Sequence, residues 1–327
     1  MKHLTILVPD GQNNLSSIVG SYKIINRANE YWKMLGRAPV FKIQLGGLSN
    51  EVKFYDSLFA VYPTPIKKIR KTDLIIIPSL NHNFLTAIQQ NEVLIEWIRK
   101  QHGKGAEVAS ICTGAFLLAS TGLLTGRDCS THWSAADAFK RMFPDVNLMS
   151  DRIITDNRGI YTNGGAFSFL NLVLYLVEKY FDRKTAIYCA KIFQIDIDRT
   201  TQSPFIIFSG LKNHEDQEIA KAQKVIEESF HEKILIEDLA SKFAMGRRNF
   251  DRRFKKATGN TPIEYHQKIK IEMAKRSLES TRKNINEVMM ASGYSDSKAF
   301  REIFKKFTGL SPIEYRNKFN KNAMANK

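Results

Sequence analysis

The chain has 327 residues, which suits two or three domains, and it carries 49 lysines and arginines against 33 aspartates and glutamates, a formal net charge of +16. Three cysteines are too few for a disulfide framework. With no signal-peptide pattern and no apolar run long enough to cross a bilayer, we expect a cytoplasmic protein without a membrane partner. The charge is uneven, because residues 241–327 hold 21 basic and 8 acidic residues, a concentration that favours a nucleic-acid-binding region over a generally charged surface.

The first two thirds of the sequence alternates apolar runs of strand length with longer helical patterns. Buried strands are predicted at residues 4–8, 40–45, 74–78 and 108–111. Helices are predicted at residues 18–36, 93–101, 114–120 and 167–180. This alternation indicates an α/β domain, a mostly parallel sheet sandwiched by helices, in which ligands bind at the carboxyl ends of the strands.

A cysteine marks the junction between the fourth strand and its helix, in the stretch EVASICTGAFLLASTGLL. Such a sharp turn presents Cys112 above the sheet, beside backbone N–H groups that can bind an anion or a carbonyl oxygen. A thiol at a helix N-terminus tends to have a lowered pKa, so we expect thiolate character here. His132, in STHW, is the candidate partner. By itself, a buried cysteine is more often inert packing and a single histidine more often structural.

Two stretches around this cysteine resemble the PfpI and class I glutamine-amidotransferase-like superfamily, in particular the GlxA-type branch fused to AraC-type domains. They are SICTGAFLLASTGLLTGRDCSTHW and TNGGAFSFLNLVLYLVEKYFDRKTA, and the resemblance extends over almost all of residues 1–208. It implies a flavodoxin-like, PfpI-like fold with a nucleophile elbow at Cys112 and a neighbouring histidine at His132.

The carboxylate that catalytic and redox-active relatives place beside the cysteine has no counterpart in this sequence. The matching stretch, NNLSSIVGSYKII, offers Ser16 and Ser17, and Asp10 does not match that position. Without the acid, nucleophilic chemistry lacks one of its three parts. We therefore interpret the domain as a sensor with no catalytic residue, metal or cofactor.

The elbow is then the expected effector site, and the resemblance points to an amino acid or another small nitrogenous metabolite, among which the sequence does not choose. The candidate ligand-binding residues are Cys112, Thr113 and His132. Two alternatives stay open at this point: a cysteine-dependent amidase, protease or glyoxalase-like enzyme tethered to DNA, and a redox switch at Cys112.

The last third of the chain contains a repeat. The segment FDRRFKKATGNTPIEY, residues 250–265, returns as FREIFKKFTGLSPIEY, residues 300–315, with ten of sixteen positions identical. Each copy predicts two short helices across a tight turn, a helix-turn-helix, at about 235–258 and 285–307, with a linker helix at about 263–279. The turns match at an offset of 49 and the phenylalanines at 50, so the second turn carries one extra residue.

The second helix of each unit is expected to enter the major groove of DNA with its N-terminal residues. Arginine and asparagine can each read a base edge through two hydrogen bonds. The predicted base-contacting residues are Arg247, Arg248, Asn249 and Arg252 in the first copy, and Asp296, Ser297, Lys298 and Arg301 in the second. Weaker candidates, for phosphate contact, are Lys255, Lys256, Lys305 and Lys306. Because the second set is less basic, we expect a non-palindromic half-site read by one subunit, with the first copy as main anchor.

This region resembles the DNA-binding domain of the AraC/XylS transcription regulators over roughly residues 216–319, on the strings DLASKFAMGRRNFDRRFKKATGNTP and GYSDSKAFREIFKKFTGLSPIEYR. It departs from that family at Gly246, Met289 and Glu302. The resemblance implies a promoter-binding regulator, expected to be an activator that contacts RNA polymerase and forms a homodimer. The predicted domains are residues 1–208, a linker at 209–216 with a flexible point at Ser209 and Gly210, and residues 217–327.

Overall fold

The computed structural model describes residues 1–11, 13–81, 83–212 and 214–320. The chain forms two compact units, Met1–Gln202 and Ser203–Lys327. Each is described by itself below.

The first unit is built on a β-sheet. Its strands are β1 (Lys2–Val8), β2 (Phe41–Gly47), β3 (Val52–Phe54), β4 (Phe59–Val61), β5 (Thr64–Pro65), β6 (Leu74–Ile77), β7 (Glu107–Ser110), β8 (Asp128–Cys129), β9 (Asn147–Leu148), β10 (Ile154–Asp156) and β11 (Ile160–Asn163). Seven of the described strands form one sheet in the order β10-β11-β7-β6-β1-β2-β5. Its pairs are parallel except β10 with β11, which are antiparallel. The order β2-β1-β6-β7-β11 is the 2-1-3-4-5 order of flavodoxin-like folds.

Helices cover both faces of this sheet. They are α1 (Leu15–Met34), α2 (Phe84–Gln90), α3 (Glu92–Gly103), α4 (Ala115–Ser120), α5 (Ala136–Met142), α6 (Phe169–Tyr180) and α7 (Arg183–Phe193). One apolar core includes side chains of α1, α6 and α7, and the other includes side chains of α2 to α5. In β1, Leu4 and Ile6 pack into the first core while Leu7 packs into the second. Because successive strand residues point to opposite faces, an apolar run with this alternation needs a helix layer on each side. The predicted α/β sandwich is confirmed.

The second unit is all-helical. Its helices are α8 (Gln217–Glu228), α9 (Ile236–Lys242), α10 (Arg247–Thr258), α11 (Pro262–Ser280), α12 (Ile285–Ala291), α13 (Ser297–Thr308) and α14 (Pro312–Phe319). Two apolar cores share α11, which gives Tyr265 and Ile269 to the first and Ala274 and Leu278 to the second. Across the described parts of both units, no helix combines the length and apolarity that crossing a membrane requires.

The sequence repeat is a repeat of packing. The ring of Phe254 meets that of Tyr265 edge-on at 5.4 Å, and Phe304 meets Tyr315 in the same way at 5.4 Å. Capping boxes begin α11 and α14, each with a hydroxyl residue that accepts from a glutamate N–H three residues on and a glutamate that returns the bond. Left-handed glycines, Gly259 and Gly309, end α10 and α13.

The extra residue in the second turn is Ser295. In both copies an N–H bond closes the turn onto the end of the first helix, from Met245 to Ala240 and from Tyr294 to Met289, an offset of 49. The next helix is capped by Gly246 in one copy and Asp296 in the other, an offset of 50. The first helix-turn-helix starts as predicted near residue 235: Leu235 caps α9 and is 52% exposed, and Ile236, the first residue of the helix, is buried.

Residues 203–211 pack within the second unit. The N–H of Phe208 donates to Glu272 Oε2 at 3.2 Å, and the Lys275 ammonium donates to the carbonyl of Ile206. The two units therefore divide six residues before the predicted limit at 208. Gly210 has φ +69°, and a Cβ on it would lie 2.2 Å from the Tyr265 hydroxyl, so close packing requires this glycine. This close packing differs from the flexible point that the sequence predicts at Ser209 and Gly210.

Candidate functional site

The sheet and α4 meet at a strained turn formed by Cys112. It follows β7 with φ +54°, in the left-handed region that residues with a side chain seldom adopt. Gly114 makes the turn possible, since a Cβ there would lie 2.5 Å from the carbonyl oxygen of Pro78. The predicted nucleophile-elbow geometry is thus present at the carboxyl end of the sheet.

The Cys112 thiol is buried, with 4% of the residue exposed. Burial raises its pKa above the ordinary value, and hydrogen bonds from the Ser79 hydroxyl and from the N–H and hydroxyl of Thr113 only partly oppose this. Burial thus opposes the thiolate character expected from the sequence, because placing a charge in an apolar interior is costly. A neutral thiol is a weak nucleophile.

The other two elbow residues are held by bonds of their own. The Thr113 hydroxyl donates to the carbonyl of Leu80 at 2.6 Å and accepts from its N–H at 2.9 Å. Nδ1 of His132 accepts from the N–H of Ser134 at 3.2 Å, so this ring caps the short turn Trp133–Ala135. The chain before His132 reaches the elbow, because the Thr131 hydroxyl donates to the carbonyl of Cys112 at 3.0 Å.

Hydroxyl groups occupy the side of the elbow where the acid would lie. Ser17 is 1% exposed, and its hydroxyl accepts a hydrogen bond from the N–H of Ser79. The hydroxyl of Ser79 in turn forms a hydrogen bond with the Cys112 thiol. Ser16 bonds to Asn14, and the Asp10 carboxylate accepts from Ser49. Sequence reasoning missed Ser79, although its place directly after a buried strand could have indicated it.

A second candidate site is the exposed face of α10. Its N-cap is Gly246, so no side chain covers the free N–H groups of the first turn. Exposed polar side chains follow at helical spacing, and Arg252 Nη2 donates to Asn249 Oδ1 at 2.9 Å. Five residues of this helix that were predicted to contact DNA are exposed: Arg248, Asn249, Arg252, Lys255 and Lys256.

Arg247 differs from its neighbour, being half-buried between two carboxylates. Its Nη1 lies 2.6 Å from Glu237 Oε1 and its Nε 2.8 Å from Asp251 Oδ2. The bond to Asp251, followed by the charges of both acids, raises its pKa further above the usual range. In this arrangement Arg247 ties α9 to α10.

The first turn of α13 also departs from the predicted contact set. The Asp296 carboxylate caps the helix by accepting from the N–H of Ala299 at 2.6 Å, a role that fixes it beside the helix rather than toward a base. The remaining predicted contacts of this helix are exposed: Ser297, Lys298, Arg301, Lys305 and Lys306.

Known protein families match both halves of the chain. A family model described as the DJ-1/PfpI family matches residues 61–179, and one described as a helix-turn-helix domain matches residues 239–318. The transcriptional regulator GbdR of Pseudomonas aeruginosa is 28% identical over 216 residues, 64% of this chain and 58% of GbdR. The regulator GlxA of Rhizobium meliloti is 26% identical over 216 residues, 63% of this chain and 65% of GlxA. The matched region thus spans less than two thirds of either relative.

A solved structure is also similar. It is a putative transcriptional regulator protein from Vibrio parahaemolyticus, with a TM-score of 0.53 and 26% identity, covering 58% of this chain and 98% of its own. Fold and matches together define a chain with a DJ-1/PfpI-type domain followed by an AraC-type helix-turn-helix domain. The resemblance to the AraC family and to GlxA-like regulators is confirmed.

Proposed function

We propose that this chain is a sequence-specific transcription regulator that binds promoter DNA through its two helix-turn-helix units. The observation that carries the proposal is the duplicated unit on one shared helix, with exposed arginines and lysines on both recognition helices α10 and α13. Basic side chains on a helix that fits the major groove supply both phosphate attraction and base reading.

Helix α11 connects the two helix-turn-helix motifs and contributes to the core of each. Its 19 residues correspond to a length of about 28 Å at 1.5 Å per residue. Successive major grooves on one side of B-DNA are about 34 Å apart, so we expect the two recognition helices held by α11 to face consecutive grooves. Because α11 contributes side chains to both cores, we expect the pair to be held rigidly, which reduces the entropy lost on binding.

The wider proposal is that the protein acts in the cytoplasm as a homodimeric activator that contacts RNA polymerase and responds to a small effector, an amino acid or another nitrogenous metabolite. The named relatives support regulation, since GbdR and GlxA are both called transcriptional regulators. The first domain supports sensing rather than catalysis: Cys112 is a buried thiol and serines stand where an acid would be needed.

An electrophoretic shift series tests DNA binding. With genomic promoter fragments and random competitor at 50–200 mM salt, we expect one preferred fragment, and an affinity that falls with salt by about 0.9 log units per log unit for each phosphate contacted. Changing Lys255 or Lys305 to glutamine should reduce that slope by about 0.9 without changing the preferred sequence. If no fragment is preferred over random DNA and the affinity does not change with salt, the proposal is contradicted.

The role of the elbow is tested by Cys112→Ala in a reporter strain. If the domain senses without catalysis, activation without effector stays unchanged, while a change in the effector response places Cys112 in the ligand pocket. Loss of all activation in a folded variant would favour the cysteine enzyme instead. Peroxide titration with mass spectrometry addresses the redox alternative. We expect no modification of the buried Cys112 thiol at peroxide concentrations that leave the protein folded.

A further inference from the structure

The first unit contains a groove with a volume of about 380 Å³ that the elbow residues do not line. One wall is formed by residues 66–70, and the other by α3 together with Lys104. Arg70 lies shortly before β6 and Lys104 shortly before β7, so this part of the groove is toward the amino ends of two neighbouring parallel strands. The elbow at Cys112 follows the carboxyl end of β7, so the groove is a separate place on the same sheet.

Two hydrogen bonds from buried side chains hold the walls of the groove together. Trp97 Nε1 donates to the carbonyl of Ile69 at 3.3 Å, and Gln101 Nε2 donates to the carbonyl of Arg70 at 3.3 Å. Ile66 and Ile69 of the first wall are also buried in the apolar core of this side of the sheet. The spacing of the walls is therefore set by the fold, and a ligand that enters requires little ordering of the backbone.

The groove is strongly basic. Four cations line it with one acid, Glu96, which already has Arg99 as its ion-pair partner. Lys68 and Lys71 belong to the same stretch of chain as the first wall and are exposed. Within residues 1–11, 13–81, 83–212 and 214–320, no ion pair or hydrogen bond engages the side chains of these six cations: Lys67, Lys68, Arg70, Lys71, Lys100 and Lys104. Like charges gathered in this way repel one another, so an anion placed among them is attracted by all of them.

Helix α3 itself accounts for only part of this charge. Its last turn contains Lys100, and a helix carries about half a negative charge at its C-terminus. The residues that line the groove include four cations and one acid, a net charge of +3. The helix end therefore leaves most of the excess without compensation. A surface that is charged only for solubility has both signs interspersed, which is not the pattern here.

We propose that this groove binds a small anion with two or more linked phosphate groups, held between its two basic walls. Cations on opposite walls can each contact a different phosphate, whereas an anion with one charge satisfies one side only. Arginine offers a planar fork to phosphate oxygens and lysine a compact charge. The volume lies within the roughly 300–1,000 Å³ of small-molecule pockets, which favours a small anion over a nucleic acid. The contacting side chains are Lys67 and Arg70 on one wall and Lys100 and Lys104 on the other.

This site is distinct from the effector site proposed at the elbow and gives the first unit a second class of ligand. It does not require the chain to be a transcription regulator, because no residue of the second unit takes part in it. Binding can be measured without DNA. A ligand that binds only the folded protein also raises its stability, which gives a second readout.

Calorimetric titration of the full chain with sodium tripolyphosphate at about 150 mM salt tests the site. We expect tripolyphosphate to bind and to raise the melting temperature, and orthophosphate to bind far more weakly. The double change Lys67→Gln with Lys100→Gln should weaken tripolyphosphate binding about tenfold or more, because one charge-assisted contact is lost from each wall. The matched control Lys140→Gln with Arg141→Gln, at exposed cations of α5 outside the groove, should leave it unchanged. Equal affinity for orthophosphate and tripolyphosphate would overturn the assignment to linked phosphates.

A second control is needed because the second unit is also basic and could attract tripolyphosphate. Lys255→Gln with Lys305→Gln removes the same charge from α10 and α13 and should weaken DNA binding while tripolyphosphate binding stays unchanged. The groove variant should do the reverse and keep its DNA affinity in shift assays. A loss of tripolyphosphate binding as large in the second-unit variant, or a loss of DNA binding in the groove variant, would overturn the site. Because tripolyphosphate is titrated without DNA, a failure of DNA binding cannot be mistaken for a failure of this site.

Discussion

Arg247 and Arg248 are adjacent in the sequence and differ in what surrounds them. Arg247 is bound to Glu237 and Asp251, whereas Arg248 is exposed on α10. Sequence reasoning could place both at the start of a recognition helix because the repeat fixes the helix. It could not tell them apart, since the partner Glu237 lies on another helix.

Replacing each of these two arginines by alanine distinguishes a residue that reads a base from one that holds α9 against α10. Arg248→Ala should cost about 1–3 kcal/mol of binding free energy and relax preference at one base pair. Arg247→Ala should instead lower the stability of the second unit and weaken all DNA sites alike, because it loosens α9 from α10. Affinities for a set of single-base site variants measure both effects. A change of preference with Arg247→Ala and none with Arg248→Ala would reverse the assignment.

Asp216 makes stability depend on pH. Its carboxylate caps α8 and receives Nε and Nη2 of Arg253 at 2.9 and 2.7 Å, and the bond from Arg253 is the main cause of its lowered pKa. The folded pKa lies below the unfolded value of about 3.9, so this contribution is complete above that pH and is lost as the pH falls through the folded pKa.

Asp216→Asn should therefore cost about 2 kcal/mol at pH 7 and less at pH 3, which lies below the unfolded pKa. Hydrogen exchange of α8 and α10 across this range measures the difference. An equal cost at both pH values would mean that the charge of Asp216 contributes nothing.

Helix caps distinguish the two recognition helices at the scale of elements. Asp296 caps α13 with its side chain, while Gly246 leaves α10 without such a bond and has open space where a Cβ would be. Asp296→Ala should destabilise the second unit by about 1 kcal/mol, and Gly246→Ser should stabilise it by a few tenths of a kcal/mol. Urea unfolding followed by helical circular dichroism compares them. Equal and opposite effects of 1 kcal/mol would contradict this account of the glycine.

The segment before α8 is fastened to α11 by a buried ion pair. Lys275 and Glu272 are 6% and 8% exposed and 2.7 Å apart, and both also bond to the backbone of residues 206–208. Phe205 and Phe208 of the same segment meet Phe319 and Tyr265, one ring in each core of the unit. The N-terminal segment of the second unit thus packs against the cores of both helix-turn-helix motifs.

Breaking this pair from one side should be costly. Lys275→Met leaves the buried Glu272 carboxylate with only the more distant guanidinium of Arg276, whose Nε is 3.7 Å from Oε1. We therefore expect a loss of about 3 kcal/mol and faster hydrogen exchange in residues 203–208. The double change Lys275→Met with Glu272→Leu should recover most of that stability, because apolar residues of similar size can replace a buried pair. A double variant as unstable as the single one would show that the backbone bonds, not the charge, hold the segment.

The elements that sequence could predict are those with strong local patterns. Helices α10 and α11 were predicted to within two residues, because their glycines, prolines and phenylalanines act locally. Several elements of the first unit were not predicted, among them the short strands β3, β4, β5, β8 and β9, the helices α2, α5 and α7, and the sheet strands β10 and β11. Strands β10 and β11 are short and mix polar with apolar residues, and their place comes from pairing with β7. The Cys112 turn could be predicted for a similar local reason, whereas its raised pKa depends on long-range burial.

At the scale of the whole molecule, we propose that the first compact unit senses a ligand and the second binds DNA. The first has the elbow and the basic groove beside α3, and the second has two reading helices on one shared helix. The two copies have similar but separate cores and differ on the groove-facing side. In its first two turns α10 exposes two arginines, whereas α13 exposes a lysine, an arginine and Glu302. We therefore expect each subunit to read a non-palindromic half-site with α10 as the stronger anchor.

Hydroxyl-radical and methylation footprinting of the full chain on its preferred promoter fragment tests the central claim most directly. The account predicts two protected major-groove segments per subunit, on one face of the duplex and one helical turn, about 10–10.5 base pairs, apart. Arg248→Ala should weaken protection at the first segment, and Lys298→Ala should weaken the second by a smaller amount. A single protected groove per subunit, or uniform protection without a preferred fragment, would contradict the paired-unit account.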